Sequence, residues 1–415
     1  MTRPLRRSAV LVACLAATAA VLLPAAAHRT VDRVPEVWTA GERLLVVDSE
    51  SGDVVVLDDG EEVERLSTPP APISLARSED GRTALALRGR DTDRDHVTVI
   101  DTAYDEATGE ARRPFVSRTF VAQSPGGVSN GRLPELAGAI GVAEEGAGRL
   151  SLLDPAGLSG LGDATAGQLR LAAPDHYAFA TGRDGAGHEL LLAGHLRAGG
   201  VQVLDVASGE QLAWHDGCAG LHGAATDDTG TRALFGCGDG VLVVPVDPAG
   251  GAPRLVRYPG DERIAAFHPG GDGVVWGTSE GAQTVVQRID TTGAVPVVER
   301  VRLAGRGGTR TALAVTTTPG GDRLLVLTHQ GFLQLRDGHD GTLLREVQLG
   351  ERFDLDFHEH VDRATAPDLA ATDDHVHVSQ PGRQRIVTVD LDRGRVTGRV
   401  QVEGMPTRMV LLGGD

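Results

Sequence analysis

The chain has 415 residues, and its 40 basic residues, all arginine, face 57 aspartates and glutamates, for a formal charge of −17. A hydrophobic content of 41% excludes a disordered chain. A single long apolar run, at the N-terminus, excludes a polytopic membrane protein, and so acidic a surface argues against nucleic acid as a partner.

Residues 1–27 read as a secretory signal. Arg3, Arg6 and Arg7 form the positive start, Ala9 to Leu23 the apolar stretch, and Ala25-Ala26-Ala27 a small-residue cleavage site. The mature chain, 28–415, is therefore expected outside the cytoplasm, in the periplasm or at the cell surface. Leu11-Val12-Ala13-Cys14 matches a lipoprotein acylation box, although Cys14 lies in the middle of the apolar run. Membrane attachment is expected only if Cys14 is lipidated.

Beyond residue 28 the sequence has almost no helical periodicity. It shows short β-branched runs, among them Leu44 to Val47, Val54 to Leu57, Val97 to Ile100, Val201 to Leu204, Leu324 to Leu327 and Ile386 to Val389, set between Gly, Asp and Asn turns. Such spacing predicts an all-β chain. The runs recur in one order: a small-residue strand, a polar Asp-Gly turn, a hydrophobic strand, a Gly turn, and a strand ending in Asp. This is a four-stranded antiparallel meander, the unit of a β-propeller. Eight units are expected, starting near residues 36, 71, 134, 175, 221, 262, 310 and 367, with seven as the alternative because the third is weak around Ser124 to Gly131. The first unit lacks an innermost strand, and Pro406 to Leu412 is an orphan strand that can supply it and close the ring.

Within this frame, His96, His188 and His195 flank outer strands, and His268, His329 and His339 lie at turns, where solvated side chains are expected. His176 and His222 differ, because each opens the innermost strand of its unit, the fourth and fifth. An equal count back from the Thr372-Asp373-Asp374 turn reaches Asp368 in the last unit. Two imidazoles and a carboxylate at one mouth of the channel suit Zn²⁺. The His358-Glu359-His360 loop leads into the same last unit and offers His358 and His360 as further ligands or as a lid. His375-Val376-His377 puts two histidines on one face of a second strand and reads as structural. Cys218 and Cys237 flank a hairpin folded about residue 228, which sets them side by side and predicts a disulfide in an exported chain, with a Cys–His thiolate metal site as the alternative. No phosphate-binding Gly loop, Gly-x-Ser-x-Gly elbow, His-Glu-x-x-His or Cys-x-x-Cys-His is present.

The block Cys218-Ala-Gly-Leu-His222-Gly-Ala-Ala, followed by Phe235-Gly-Cys237-Gly-Asp-Gly-Val-Leu-Val, resembles the core signature of AztD-type zinc metallochaperones. The tail, from Ala366-Pro-Asp-Leu-Ala through His375-Val-His-Val-Ser-Gln-Pro to Gly404-Met-Pro-Thr-Arg, is similar to that family's closing blade. The resemblance implies an exported, monomeric β-propeller that binds zinc and passes it to the zinc-specific solute-binding protein of an ABC importer. By motif, His222 matches the family's histidine beside the cysteine pair, and His176 the histidine opening the preceding blade. Two family features are missing: a His-rich N-terminal segment, since only His28 follows the cleavage point, and a histidine in Ser129 to Pro134. Two other functions fit the same fold: a metal-dependent lyase or lactonase using the same cluster with the metal as Lewis acid, and an interaction module without metal.

Overall fold

The computed structural model describes residues 38–413 apart from 69–71, 73, 89–94, 127–133, 137, 159–164, 259–262, 280–282, 351 and 354–365. The expected secretory signal and Cys14 thus lie outside the described residues, as does the 358–360 loop.

Eight four-stranded antiparallel blades form a ring, and helix is almost absent. Blade one consists of Pro406–Gly413, Glu42–Asp48, Val54–Asp58 and Glu61–Leu66, listed from the innermost strand outward. Its innermost strand is the C-terminal segment, paired from Glu42↔Gly413 to Asp48↔Pro406. The orphan strand therefore closes the ring as the sequence predicts, and no sheet edge is left at the seam. The weak third unit is also real. Its inner strand is split into Pro125–Gly126 and Glu135–Leu136, both paired with Ala139–Glu144.

Alternation of side chains across each strand lets every blade pack against both of its neighbours. Along Glu42–Asp48, Leu45 and Val47 pack towards blade two, whereas Leu44 and Val46 pack towards blade eight. Val54 and Val56 against Val55 and Leu57 divide the same way. Every strand of this kind is apolar on both faces because both faces are covered. The buried residues fall into eight hydrophobic clusters, one at each seam between consecutive blades. At the seam of blades one and two, Arg43 is fully buried and holds Asp58 through two nitrogens, each 2.6 Å from a carboxylate oxygen. Such a fork keeps a buried charge paired.

Four of the histidines expected to be solvated are instead buried: His96, His195, His268 and His329. His96 and His195 lie on strands, His96–Asp101 and Glu189–His195, rather than beside them. His268 lies on Ile264–Pro269, the innermost strand of blade six, with Nε2 3.4 Å from Thr278 Oγ1. Burial pushes its imidazole down to about 4. In the unfolded chain the same ring takes a proton near 6.5. Between these values the unfolded state binds more protons, so stability falls as pH drops through this window. The penalty at pH 5 is about 2 kcal/mol, from ~1.4 kcal/mol per pH unit. A His268→Gln variant is expected to lose less Tm between pH 7 and pH 5 than the parent; equal losses in a thermal melt would contradict this assignment.

Candidate metal centre

Innermost strands run from one end of the ring, the entry rim, to the other, and second strands return to it. Blade four has Tyr177–Arg183 innermost and blade five has His222–Thr226. His176 and His222 therefore stand on the entry rim of adjacent blades. Glu145, which follows the second strand Ala139–Glu144 of blade three, reaches the same rim.

The backbone around His222 is shaped to aim it. Register shifts between His222 and Ala224, so that His222 pairs with Gly236 and Ala224 with Phe235. The residue inserted at this bulge is Gly223, with φ +65°, a conformation that L side chains rarely adopt. A Cβ on Gly223 would lie 2.6 Å from Ala265 O, and one on Gly236 would lie 2.0 Å from Ile264 O. These two glycines let the backbone of blade six approach closely enough for His222 Nδ1 to donate to Ala265 O at 2.9 Å. A carbonyl only accepts, so Nδ1 carries the proton and Nε2 presents its lone pair.

His176 is fixed with the same polarity. Asp175, which is buried, accepts N–H groups from His176, Arg197 and Ala198 and ties this position to the next turn of blade four. Nδ1 of His176 lies 2.7 Å from Glu145 Oε1 and donates to that carboxylate, which leaves Nε2 as the outward acceptor. Room for the Glu145 carboxylate comes from Gly126, where a Cβ would sit 2.3 Å from Oε1.

The two Nε2 atoms face one another at 3.3 Å, with ring centroids 5.0 Å apart. Two lone pairs at that separation repel unless a positive charge lies between them. Two imidazoles on one tetrahedral Zn²⁺, with Zn–N of 2.0–2.1 Å, have their nitrogens about 3.3–3.4 Å apart. The observed spacing is that of one edge of such a tetrahedron. A carboxylate behind one imidazole and a carbonyl behind the other are the kinds of outer partner that metal-bound histidines take. Asp175 and Glu145 are the two residues that sequence reasoning missed. The Asp immediately before His176 was a legible signal for the first, but Glu145 lies on another blade and nothing in its local sequence marks it.

Asp368 stands elsewhere. It shares the entry rim, but it opens blade eight, four blades round from His176 in a ring of eight. Its Oδ1 accepts from Leu369 N and its Oδ2 from Met409 N. Burial pushes its carboxyl above the usual carboxylate range, against the pull of Arg408 and those two donors. Equal position along the strand placed it at the right height but at the wrong angle around the axis. Among the described residues, no third His, Cys, Asp or Glu ligand atom lies within 4.8 Å of both facing nitrogens. His358 and His360 lie outside the described residues.

Cys218 and Cys237 form a disulfide, with Cα atoms 4.9 Å apart. The expected pairing is correct, but the expected register is not. Thr226 pairs with Ala233 and Ala225 with Leu234, which centres the hairpin near residues 229 and 230. Cys218 precedes the strand, and its N–H donates to Gly199 O of blade four. The chain turns through Ala219 and Gly220 to bring Sγ onto Cys237, so the bond anchors the segment that carries His222. Its presence fits an oxidising compartment.

No family model matches the chain. The resemblance read in the cysteine–histidine block extends over most of the sequence: the chain is similar to the zinc chaperone AztD of Citrobacter koseri, 24% identical over 393 residues that cover 90% of this chain and 87% of that protein. Two solved structures of Citrobacter koseri AztD, one of them the apo form, superpose with TM-scores of 0.73 and 0.72 at 20% identity, each covering 91% of this chain and 99% of the other. A dihydro-heme d1 dehydrogenase, NirN, shares the fold with a TM-score of 0.59 at 15% identity, over 88% of this chain and 74% of that one.

Proposed function

We propose that this chain is an exported zinc carrier that holds Zn²⁺ as cargo between His176 and His222 at the entry rim and delivers it to the solute-binding protein of a zinc ABC importer. The observation that carries the reading is the pair of Nε2 atoms, each fixed from behind, at the spacing of a zinc tetrahedron edge. The similarity to a protein named as a zinc chaperone supports the choice of metal. The N-terminal signal pattern and the disulfide support the compartment.

A site with two protein imidazoles on a rim suits transfer. The remaining coordination positions are open to water and to ligands of an incoming protein, so a recipient can begin to bind before the carrier lets go. Imidazole must be neutral to ligate, so protons compete with the metal. The acidic chain raises the local cation concentration. We place the carrier ahead of a lyase or lactonase because Glu145, which sits directly behind the pair, is already engaged by His176 Nδ1.

Glu145→Gln is expected to weaken zinc binding about 10–100-fold, the usual cost of losing an outer partner of a metal-bound imidazole. Competition against a chromophoric chelator measures it, and an unchanged affinity would remove Glu145 from the site. Delivery is tested by mixing the zinc-loaded mature chain with the metal-free solute-binding protein of a zinc importer and following metal in each after rapid separation. Direct transfer predicts that the recipient fills faster than a small chelator of equal affinity does. Equal rates would mean that zinc simply dissociates and is recaptured, and would overturn the delivery step.

A further inference from the structure

The hydrogen bonds behind the rim pair continue past Glu145 towards blade two. Glu145 is held by the connection from the outer strand of blade two, Phe115–Val121, to the first piece of the split inner strand of blade three, Pro125–Gly126. Its N–H donates to Ser124 O at 3.2 Å, and the next N–H, of Gly146, donates to Gln123 O at 3.1 Å. Its carboxylate lies over Gly126, where a Cβ would displace it. The stretch from Gln123 to Gly126 is therefore the wall along which Glu145 reaches His176 Nδ1, 2.7 Å away.

That wall contains an unfavourable backbone. Ser124 has φ +50°, a left-handed conformation that residues with a Cβ seldom adopt. Pro125 follows it, and a residue before proline favours extended backbone. Such a conformation persists only where its surroundings impose it. Asp95 does so. It is 3% exposed and immediately precedes the third strand of blade two, His96–Asp101. Its Oδ2 accepts from Ser124 N at 2.8 Å and from Ser124 Oγ at 3.2 Å, and its carbonyl accepts from Ala122 N at 3.3 Å. A carboxylate acceptor makes the first two bonds stronger than neutral ones. A series of hydrogen bonds thus runs along the entry rim, from Asp95 of blade two through Ser124 and Glu145 to His176 of blade four.

We infer that Asp95 is a positioning residue of the rim site: by imposing the left-handed conformation of Ser124, it sets where Glu145 stands behind His176. The consequence for zinc rests on the carrier reading, whereas the consequence for His176 concerns the metal-free chain. Without the Asp95 acceptor, Ser124 relaxes towards the backbone that Pro125 favours, and Ser124 O turns away from Glu145 N. The Glu145 carboxylate then no longer keeps the proton on His176 Nδ1. The ring divides between its two neutral tautomers, and the Nε2 lone pair is available only part of the time.

The test compares the parent mature chain with Asp95→Ala, with Asp95→Asn, and with Asp95→Ala combined with Ser124→Gly. In the metal-free state, nitrogen chemical shifts of isotope-labelled histidine rings report which nitrogen carries the proton, and the His176→Ala spectrum identifies the His176 signals. The parent is expected to hold the proton on Nδ1, and Asp95→Ala to show a mixture. Asp95→Asn keeps an acceptor oxygen and should match the parent. Ser124→Gly should restore the Asp95→Ala chain, because glycine adopts positive φ without steric penalty. Zinc affinity, by chelator competition, should follow the same order: a loss of about 3–10-fold in Asp95→Ala, smaller than that of Glu145→Gln, and recovery to within about twofold in the other two. Asp95→Ala added to Glu145→Gln should bring no further loss, since both act on one bond. Circular dichroism checks that the variants fold. A His176 ring unchanged by Asp95→Ala, or a change that Ser124→Gly does not reverse, would overturn the inference and leave Asp95 as a support of blade two alone. The two readings fail separately: the expected tautomer shifts in a chain whose zinc affinity ignores His176→Ala would uphold the positioning role and count against the carrier.

Discussion

His222→Ala in the mature chain is expected to lower zinc affinity at the rim by more than about a hundredfold, because removing a ligand costs more than the 10–100-fold loss of an outer partner. The ring itself should survive. His222 is only partly buried, and the bond from its Nδ1 to Ala265 O is local to the seam of blades five and six. His176→Ala should match it in size, since in the proposed carrier the two Nε2 atoms, 3.3 Å apart, are two corners of one site. The double variant should add little, because a tetrahedron that has lost one imidazole holds the other poorly. His188, on an exposed turn with its Nδ1 2.9 Å from Asp184, is the control: His188→Ala should leave zinc binding unchanged. Chelator competition separates these outcomes, and near-additive, small effects of the two rim substitutions would show that the rings do not share an ion.

Removing the disulfide is the second large effect. Cys218 and Cys237 are fully buried and 19 residues apart. Closing a loop of that length restricts the unfolded chain by about 3 kcal/mol in the loop-entropy picture. For a domain of this size that corresponds to a fall in Tm of about 4 °C. The bond also anchors the turn that leads into His222, so the Cys218→Ser, Cys237→Ser variant should bind zinc more weakly as well as melt earlier. Unfolding monitored with and without reductant checks the first part, and chelator competition the second. A variant with parental Tm would show that the inter-blade packing around Phe235 and Leu221 carries the seam alone.

Much of this was legible in the sequence because a propeller repeats itself. Even spacing of β-branched runs and Asp-Gly turns gave the blades. A missing inner strand at one terminus and an extra strand at the other gave the closure. The positions of His176 and His222 at the start of innermost strands gave their common rim. What was not legible depends on angle and on contact between blades. Asp368 has the right height but opens a blade on the far side of the axis, because register along a strand says nothing about rotation around the ring. Glu145 comes from a blade whose inner strand is split, so its approach to His176 follows from packing and not from pattern. The contact of His375 and His377 with Glu42 could not be read either, because Glu42 lies more than three hundred residues away in sequence and meets them only across the closing seam. The hairpin register shifted because the turn lies later than residue 228 and because a bulge at Gly223 offsets His222 from its neighbours.

A zinc ion shared by His176 and His222 at the entry rim would be visible to diffraction. Crystals of the zinc-loaded mature chain, with anomalous scattering measured on both sides of the zinc absorption edge, test it most directly. A peak is expected between blades four and five, about 2.0–2.1 Å from Nε2 of both His176 and His222, with Glu145 still on His176 Nδ1. Zinc peaks confined to other positions, with the two imidazoles turned away from one another, would contradict it.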